Sequence, residues 1–431
     1  MLGCRCLVNT EYENTLVGIE YRTEKTAEGK DACEVVVHFP LGYRLSPEDD
    51  DHGRRRDILL LISVLRRYSQ KVDGTLPDHD DTGDIGFPID AYLYIISDFV
   101  SNGYYREKEI IYKTARQGKI SWSRTIKQTK PCVQGNNVFY LDFITRNQKK
   151  KDNEWITLIH KYCVYLSFLR MGWLFTGYVP PNPNIGGSDR LYKSVLIDKL
   201  AHTFNDRSRK LFKSMMAVLG YEEETSKKVD FRYGTSSFYH VWESMIDWVY
   251  GADNKERYYP KTKWRIGKKL YYKYPLEPDS IMPVGKDIYI LDAKYYKYGI
   301  TGKVDDLPDT SSIHKQITYG EFIDHNKKLR TGPDMKIYNA FILPYCTTNK
   351  IGMDFVGELG YIGEAYSEWK DNTETYERVE GVLLDTKMLM EMNMRQDMKK
   401  IQELADFIEK HYNKSREMDE YFRKQDQEED G

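Results

Sequence analysis

The chain has 431 residues, of which 30% are charged and 40% are hydrophobic. This length predicts two or three domains with a sizeable buried core, and the composition excludes a wholly disordered chain and a membrane-embedded one. The 64 basic and 66 acidic residues give a formal net charge of −2, which excludes a uniformly basic nucleic-acid coat but leaves room for local basic surfaces.

The longest apolar run, within residues 58–65, is too short to span a bilayer. The N-terminal residues become acidic before the apolar segment of an export signal can form. We therefore expect a cytoplasmic protein that does not associate with membranes. The six cysteines are scattered and lack the paired spacing of a zinc site.

The first part of the chain predicts an α+β domain over residues 1–178. Its apolar periodicity predicts helices over 58–68, 89–100 and 155–174 and a strand over 138–144. Residues 179–189 contain three prolines and two glycines, which neither a helix nor a central strand accepts. We therefore predict a linker there.

A basic stretch occupies residues 104–130 of this domain. Eight basic residues stand against two acidic ones, a net charge of +6, and they are interleaved with tyrosines and a tryptophan. Three roles fit equally well, namely contact with a phosphate backbone, contact with an acidic protein surface, and a solvated helix face. The candidate DNA or partner contacts are Arg106, Lys113, Arg116, Lys119, Arg124 and Lys127.

Residues 190–395 are predicted to form the second domain. Residues 287–296 have strong β-formers on both faces and predict a buried strand, which the turn at 283–286 joins to a preceding strand. Residues 396–431 predict a helix over 399–412 and then a solvated acidic tail. The other predicted elements are helices over 191–219, around Glu243 and from Ser311 or Ser312 onward, and strands over 336–343 and 379–385.

The hairpin carries the residues with the clearest chemistry. Asp292 and Lys294 are two apart on one strand and so share a face, and the hairpin brings Asp279 to the same end. Two carboxylates suit a hard divalent cation, either Mg²⁺ or, as an alternative, Mn²⁺, and the carbonyl of Ala293 would complete the ligand set. Lys294, while protonated, would orient water and neutralise charge on a phosphate.

These residues resemble the PD-(D/E)XK nuclease motif, here Pro278 and Asp279 followed by Asp292, Ala293 and Lys294. The resemblance implies an α/β protein with a restriction-endonuclease-like core, a mixed sheet flanked by helices, after the α+β N-terminal domain. It also implies that Glu243, on a helix before the hairpin, completes the metal site. Gln316 and Tyr319, on a helix after it, would lie near the metal and the DNA backbone.

Each of these residues also has a structural interpretation. An isolated Asp-x-Lys is most often an exposed ion pair, Glu243 fits a surface acid equally well, and Tyr319 fits core packing. The apolar neighbours of Asp292 and Lys294 favour function, because buried charges are costly unless they are paired or functional.

The basic stretch REKEIIYKTARQGKISWSRTIKQTKP, with NVFYLDFITR after it, resembles the N-terminal signature of LlaJI-type restriction endonucleases and, more distantly, of the McrC nuclease subunit. In those relatives the nuclease works with an AAA+ NTPase. This chain has no phosphate-binding loop of its own. The resemblance implies a metal-dependent endonuclease subunit of a restriction system that acts on double-stranded DNA with an AAA+ partner.

Two other functions remain open on the sequence. One is a repair or recombination nuclease with the same fold, and the other is a non-catalytic DNA-binding scaffold subunit. The oligomeric state is also open, with a homo-oligomer among the outcomes.

Overall fold

The computed structural model describes residues 3–11, 15–25, 31–71, 86–151, 154–225, 230–349, 351–392 and 396–429. The chain forms two compact units. Residues 3–86 and 232–431 form one, which we call the outer unit, and residues 87–231 form the other, the inserted unit. In the described residues, no helix combines the length and the apolar character needed to cross a membrane.

This division differs from the predicted one, which placed a boundary at 179–189. Those residues form a loop within the inserted unit. Their prolines and glycines predict an irregular backbone correctly, but they carry no information about which parts of the chain pack together. The first 86 residues join the second half of the chain because their strands pair with a strand that begins at Phe231.

The N-terminal part of the outer unit is a small mixed sheet followed by a helix. The elements are β1 (Arg5–Val8), β2 (Val17–Lys25), β3 (Asp31–Phe39) and α1 (Asp51–Lys71), and the strand Phe231–Thr235, β9, completes the sheet in the order β1-β3-β2-β9. Gly18 of β2 and Gly234 of β9 approach so closely that a Cβ on Gly18 would lie 2.1 Å from the Tyr233 carbonyl oxygen. Glycine is therefore required at position 18, where φ is +151°.

The inserted unit combines helices with short antiparallel strands. The strand predicted over 138–144 is confirmed only at its two ends, which belong to different strands, because the chain turns at 141–143. The elements are α2 (Ile89–Asn102), β4 (Glu107–Thr114), β5 (Lys119–Ile120), α3 (Trp122–Gln128), β6 (Pro131–Gln134), β7 (Asn137–Tyr140), β8 (Ile144–Lys151), α4 (Trp155–Met171), α5 (Asp189–Ala201) and α6 (Asp206–Glu224).

The rest of the outer unit contains the main sheet. After β9 (Phe231–Thr235) come α7 (Phe238–Tyr250), a 3-10 turn (Lys255–Tyr258), β10 (Lys263–Ile266), β11 (Lys269–Tyr272), β12 (Ser280–Val284), β13 (Asp287–Ala293), α8 (Tyr298–Thr301), α9 (Thr310–His325), β14 (Ile337–Tyr345), β15 (Met353–Val356), β16 (Leu359–Tyr366), β17 (Arg378–Asp385), α10 (Thr386–Glu391) and α11 (Met398–Glu429).

The main sheet is mixed and has the order β12-β13-β14-β17-β16-β15. Strand β13 pairs antiparallel with β12 and parallel with β14, which is parallel to β17. One face packs on α9, where Ile288 and Ile290 contact a buried cluster that includes Tyr319. The other face packs on α11, where the Tyr338 and Tyr412 rings are 5.6 Å apart. The predicted α/β class, a mixed sheet with helices on its faces, is confirmed.

Candidate active site

The predicted hairpin is present and brings the two halves of the motif together. Ser280 of β12 pairs with Leu291 of β13, and the turn contains Gly285 at a φ of +59°. Asp279 directly precedes β12, and its Oδ2 accepts a hydrogen bond of 2.8 Å from the backbone N–H of Ala293. The Pro278-Asp279 pair is therefore fixed at the end of β13 that carries Asp292.

Asp292 and Lys294 form a close ion pair. Lys294 Nζ is 2.7 Å from Asp292 Oδ2, and Asp292 is only 3% exposed. Strand β13 ends at Ala293, three residues before its predicted end, because a tight turn forms in which Tyr296 N–H donates to the Lys294 carbonyl. Lys294 nevertheless keeps its direction, since its own N–H donates to Ile342 of β14.

Charges at this site perturb one another strongly. Burial, with the negative charges of Asp292 and Glu243, raises the pKa of Asp279 to about 8. Burial alone would lower the pKa of Lys294, but Asp292 and Asp279 raise it above its ordinary value. Lys294 therefore stays protonated at neutral pH, while burial and the neighbouring carboxylates disfavour the ionised form of Asp279.

Glu243 lies on α7, close enough that its charge raises the pKa of Asp279. Burial raises its pKa, His240 opposes that shift, and Asp292 adds to it. Its Oε2 is 3.4 Å from His240 Nδ1. In the described residues no group of three or more His, Cys, Asp or Glu side chains is close enough to hold a metal ion. The role of Glu243 as a metal ligand stays a prediction.

Helix α9 contributes Gln316 and Tyr319 to the same region. The helix begins at Thr310, and its N-cap is Asp309, whose side chain accepts a hydrogen bond from Ser312 N–H at 2.9 Å. The predicted start at Ser311 or Ser312 is therefore late by one or two residues. Gln316 is 1% exposed and donates its Nε2 to the Ile290 carbonyl at 2.7 Å. Its Oε1 is buried and has no hydrogen-bond partner within the described chain.

Two side chains hold the backbone on both sides of Pro278. The Tyr319 hydroxyl donates to the Glu277 carbonyl at 3.0 Å, and Lys255 Nζ donates to the Asp279 carbonyl at 2.7 Å. Lys255 also pairs with Asp247 at 2.8 Å. Sequence reasoning missed Lys255, because a lysine in a short 3-10 turn far from the motif carries no periodic or spacing signal.

The predicted basic contacts lie in the inserted unit, on strands and a short helix. Lys113 is on β4, Lys119 is on β5, and Arg124 and Lys127 are on α3. The Arg124 guanidinium lies over the Tyr112 ring, 3.8 Å from its centre. A single solvated helix face is therefore not what this stretch forms. Arg106 and Arg116 lie on the flanking segments before and after β4.

The raised pKa of Asp279 predicts how metal-free stability depends on pH. The unfolded side chain ionises near pH 3.8 and the folded one near pH 8, so the unfolded state holds fewer protons between these values and stability falls as pH rises. We expect Asp279→Asn, which keeps an oxygen acceptor for Ala293, to raise the Tm at pH 8 and to change it little at pH 4. Thermal unfolding with chelator at both pH values measures this. An equal shift at both would contradict it.

Comparisons with known proteins place the chain in a family. A sequence model of the LlaJI restriction endonuclease family matches residues 32–358. The chain is 28% identical over 326 residues to the Type II restriction enzyme BsuMI component YdjA of Bacillus subtilis (strain 168), and the alignment covers 68% of this chain and 67% of that protein.

A solved structure of McrB AAA+ hexamers with bound McrC, from Thermococcus gammatolerans, contains a chain that matches at 14% identity and a TM-score of 0.34. That match covers 90% of this chain and 82% of the other, but so low a TM-score does not establish a common fold. The family match stands independently and spans most of the chain. The protein belongs to the LlaJI restriction endonuclease family.

Proposed function

We propose that the protein is the metal-dependent nuclease subunit of a restriction system and hydrolyses double-stranded DNA at a PD-(D/E)XK site. One observation carries the proposal: the hairpin brings Asp279 to the end of β13 at which Lys294 Nζ meets Asp292 Oδ2. This arrangement places two acids and one protonated amine at the end of a buried strand. Membership of a restriction endonuclease family supports the same reaction.

The residues present fit a divalent cation. Burial, together with the charges of Asp292 and Glu243, raises the pKa of Asp279 to about 8, and a bound cation would stabilise its ionised form. Asp279 and Asp292 would hold the metal, Mg²⁺ or Mn²⁺, with the Ala293 carbonyl and Glu243 as further oxygen donors. Such an ion polarises a phosphodiester and acidifies bound water.

The chain's own residues then have separable tasks. Lys294 stays protonated, so it donates hydrogen bonds to the phosphate and offsets charge that develops there rather than accepting a proton. The buried Gln316 Oε1 offers an acceptor that no group of the described chain uses. We assign it to orienting the attacking water, whose oxygen bonds to phosphorus while one P–O ester bond breaks; the leaving oxygen keeps the electron pair of that bond, and the proton that the water loses reaches it through solvent.

Glu243→Gln tests the metal role of α7. If Glu243 holds the metal or a water bound to it, the substitution removes a negative charge and weakens metal binding about 10-fold or more. Isothermal titration with Mn²⁺ and the Mg²⁺ dependence of cleavage both measure this. His240→Gln, which removes only the neighbour of Glu243, is the control. Unchanged metal affinity in Glu243→Gln would show that Glu243 does not contribute to the metal site and that α7 has only a structural role.

We further propose that the subunit works with a separate AAA+ NTPase. The matched Bacillus subtilis protein is described as a component of its restriction enzyme, and no nucleotide-binding loop occurs in this sequence. A nuclease without such control would damage its host. The basic residues Arg106, Lys113, Arg116, Lys119, Arg124 and Lys127 offer a surface for this partner or for DNA.

The decisive experiment incubates the purified chain with plasmid and Mg²⁺, with and without an AAA+ NTPase from the same restriction system. Cleavage that needs Mg²⁺ and increases with the NTPase supports both proposals. Metal-dependent cleavage that the NTPase does not change, and that is faster on branched or damaged DNA, supports a repair or recombination nuclease. DNA binding without cleavage under any of these conditions supports a non-catalytic scaffold.

A further inference from the structure

Strands β10 and β11 form an isolated hairpin that leads directly into the candidate active site. All residues of both strands are exposed, and the hairpin pairs with no other strand among the described residues. Its ladder continues beyond the strands, since Lys273 N–H donates to Thr262 and Leu276 N–H to Pro260. A two-stranded hairpin is only marginally stable by itself in water. Packing within the hairpin therefore does not explain why this exposed element is present.

The hairpin is strongly basic in a chain whose net charge is −2. Residues 260–276 contain no acid, and none of their basic side chains forms an ion pair with another described residue. Both faces carry positive charge, because Arg265 pairs across the ladder with Leu270 on one face and Lys269 with Ile266 on the other. The basic residues are Lys261, Lys263, Arg265, Lys268, Lys269 and Lys273.

Large aromatic side chains accompany these charges. Trp264 is 62% exposed, Tyr272 is 72% exposed and Tyr274 is 95% exposed. Aromatic rings in water are costly, and alternating cations and rings are typical of surfaces that bind nucleic acid. The composition favours a polyanionic partner over the apolar patch of another protein.

The base of the hairpin is anchored beside the catalytic acids. Tyr258 is 3% exposed and belongs to the core under α9, and Glu277 is held by Tyr319. Tyr259 lies between them in the chain, and burial together with Glu277, Asp247 and Asp279 raises its pKa to about 12. At ~3.3 Å per residue, the turn at Gly267 extends roughly 25 Å from Tyr259.

We propose that this hairpin, residues 260–276, is an arm that lies in a groove of double-stranded DNA and carries the phosphate backbone to Asp279 and Asp292. A two-stranded ribbon fits the major groove, which is ~12 Å wide. The inference rests on the proposed endonuclease function. It adds the element that holds the substrate, which the motif residues themselves do not provide.

The test measures DNA binding by the full chain with chelator present, so that cleavage plays no part. Lys263→Glu/Arg265→Glu reverses two charges on the hairpin, and Lys327→Glu/Lys328→Glu reverses two exposed charges after α9 as a matched control. We expect the hairpin variant to bind duplex DNA at least ~10-fold more weakly and to lose about two units of the slope of log K against log salt. The control should bind like the wild type.

Several outcomes would overturn the proposal. Equal losses of duplex affinity in the hairpin variant and the control would show a general charge effect. An unchanged duplex affinity in the hairpin variant would show that the arm does not bind DNA. Loss of single-stranded but not duplex affinity, or loss of NTPase binding alone, would assign the hairpin to a different partner. The two levels of the proposal can fail separately, because the hairpin variant is compared with the wild type in duplex binding with chelator present, which needs no cleavage to be detected.

Lys263→Ala/Arg265→Ala guards against misfolding as an explanation. It should lose the same ~2 units of salt slope as the charge-reversed variant, because it removes the same two cations, and a smaller part of the affinity, because it adds no acids. Both hairpin variants should unfold at the wild-type temperature, since the side chains are exposed. A normal Tm with normal duplex binding in both would contradict the proposal.

Discussion

Asp292→Asn and Lys294→Ala are expected to lower the DNA cleavage rate by ~100-fold or more while the protein stays folded. Asp292→Asn weakens the binding of the divalent cation and Lys294→Ala removes a positive charge, so each reduces the stabilisation of charge that develops on the phosphate, and the loss of one such contribution typically costs this much. The rate should fall at saturating DNA, because these groups act on the reacting phosphate rather than on binding. Single-turnover cleavage of a plasmid measures it.

The structure supplies a control on the same hairpin. Lys286 is exposed in the turn between β12 and β13, at the opposite end of β13 from Asp292. Lys286→Ala therefore removes an equal charge, ~20 Å from the candidate site, and should cleave normally. Thermal unfolding should change little in Asp292→Asn, because losing the pair with Lys294 is offset by less repulsion with Asp279. Cleavage at the wild-type rate by either site variant would refute the assignment.

Arg170→Met is expected to destabilise the inserted unit by about 3–5 kcal/mol, because it leaves a buried carboxylate without its cation. Arg170 of α4 donates from Nε and Nη2 to both oxygens of Glu222 on α6, at 3.0 and 2.9 Å. The Tyr92 hydroxyl of α2 donates to the same carboxylate at 2.8 Å. The side chains of Arg170 and Glu222 are 3% and 4% exposed. Differential scanning calorimetry measures the loss.

Two further variants test the physical reason. Arg170→Met/Glu222→Leu removes both charges, so it should recover most of the stability that the single variant loses. Lys193→Met breaks the partly exposed pair with Glu223, whose partners are 29% and 47% exposed, and should cost less than ~1 kcal/mol. If the double variant is no more stable than Arg170→Met, the loss is one of packing rather than of an unpaired charge.

The parts of the site that the sequence predicts are those that follow from local rules. The period of two along a strand places Asp292 and Lys294 together, and a hairpin fixes Asp279 opposite them. Lys255 could not be found in this way. It acts through a backbone carbonyl 24 residues later in the chain, and its contact depends on how a 3-10 turn packs against the motif.

Errors at the level of the fold have the same origin. The pairing of β2 with β9 joins residues more than 200 positions apart, and no local pattern reports such a partner. The C-terminal residues were expected to be a solvated tail after position 412, but α11 continues to Glu429. Their charged residues are good helix formers, and Asp419 pairs with the buried Arg378 of β17.

The interrupted outer unit has a consequence for synthesis of the protein. Strands β1, β2 and β3 leave the ribosome before the inserted unit, and β9, which completes their sheet, follows only after residue 230. At ~5–20 residues per second, translation of the segment between β3 and β9 takes roughly 10–40 s, during which the edge of β2 lacks its partner. In the nascent chain the first three strands therefore wait for a partner strand that is made only after the whole inserted unit.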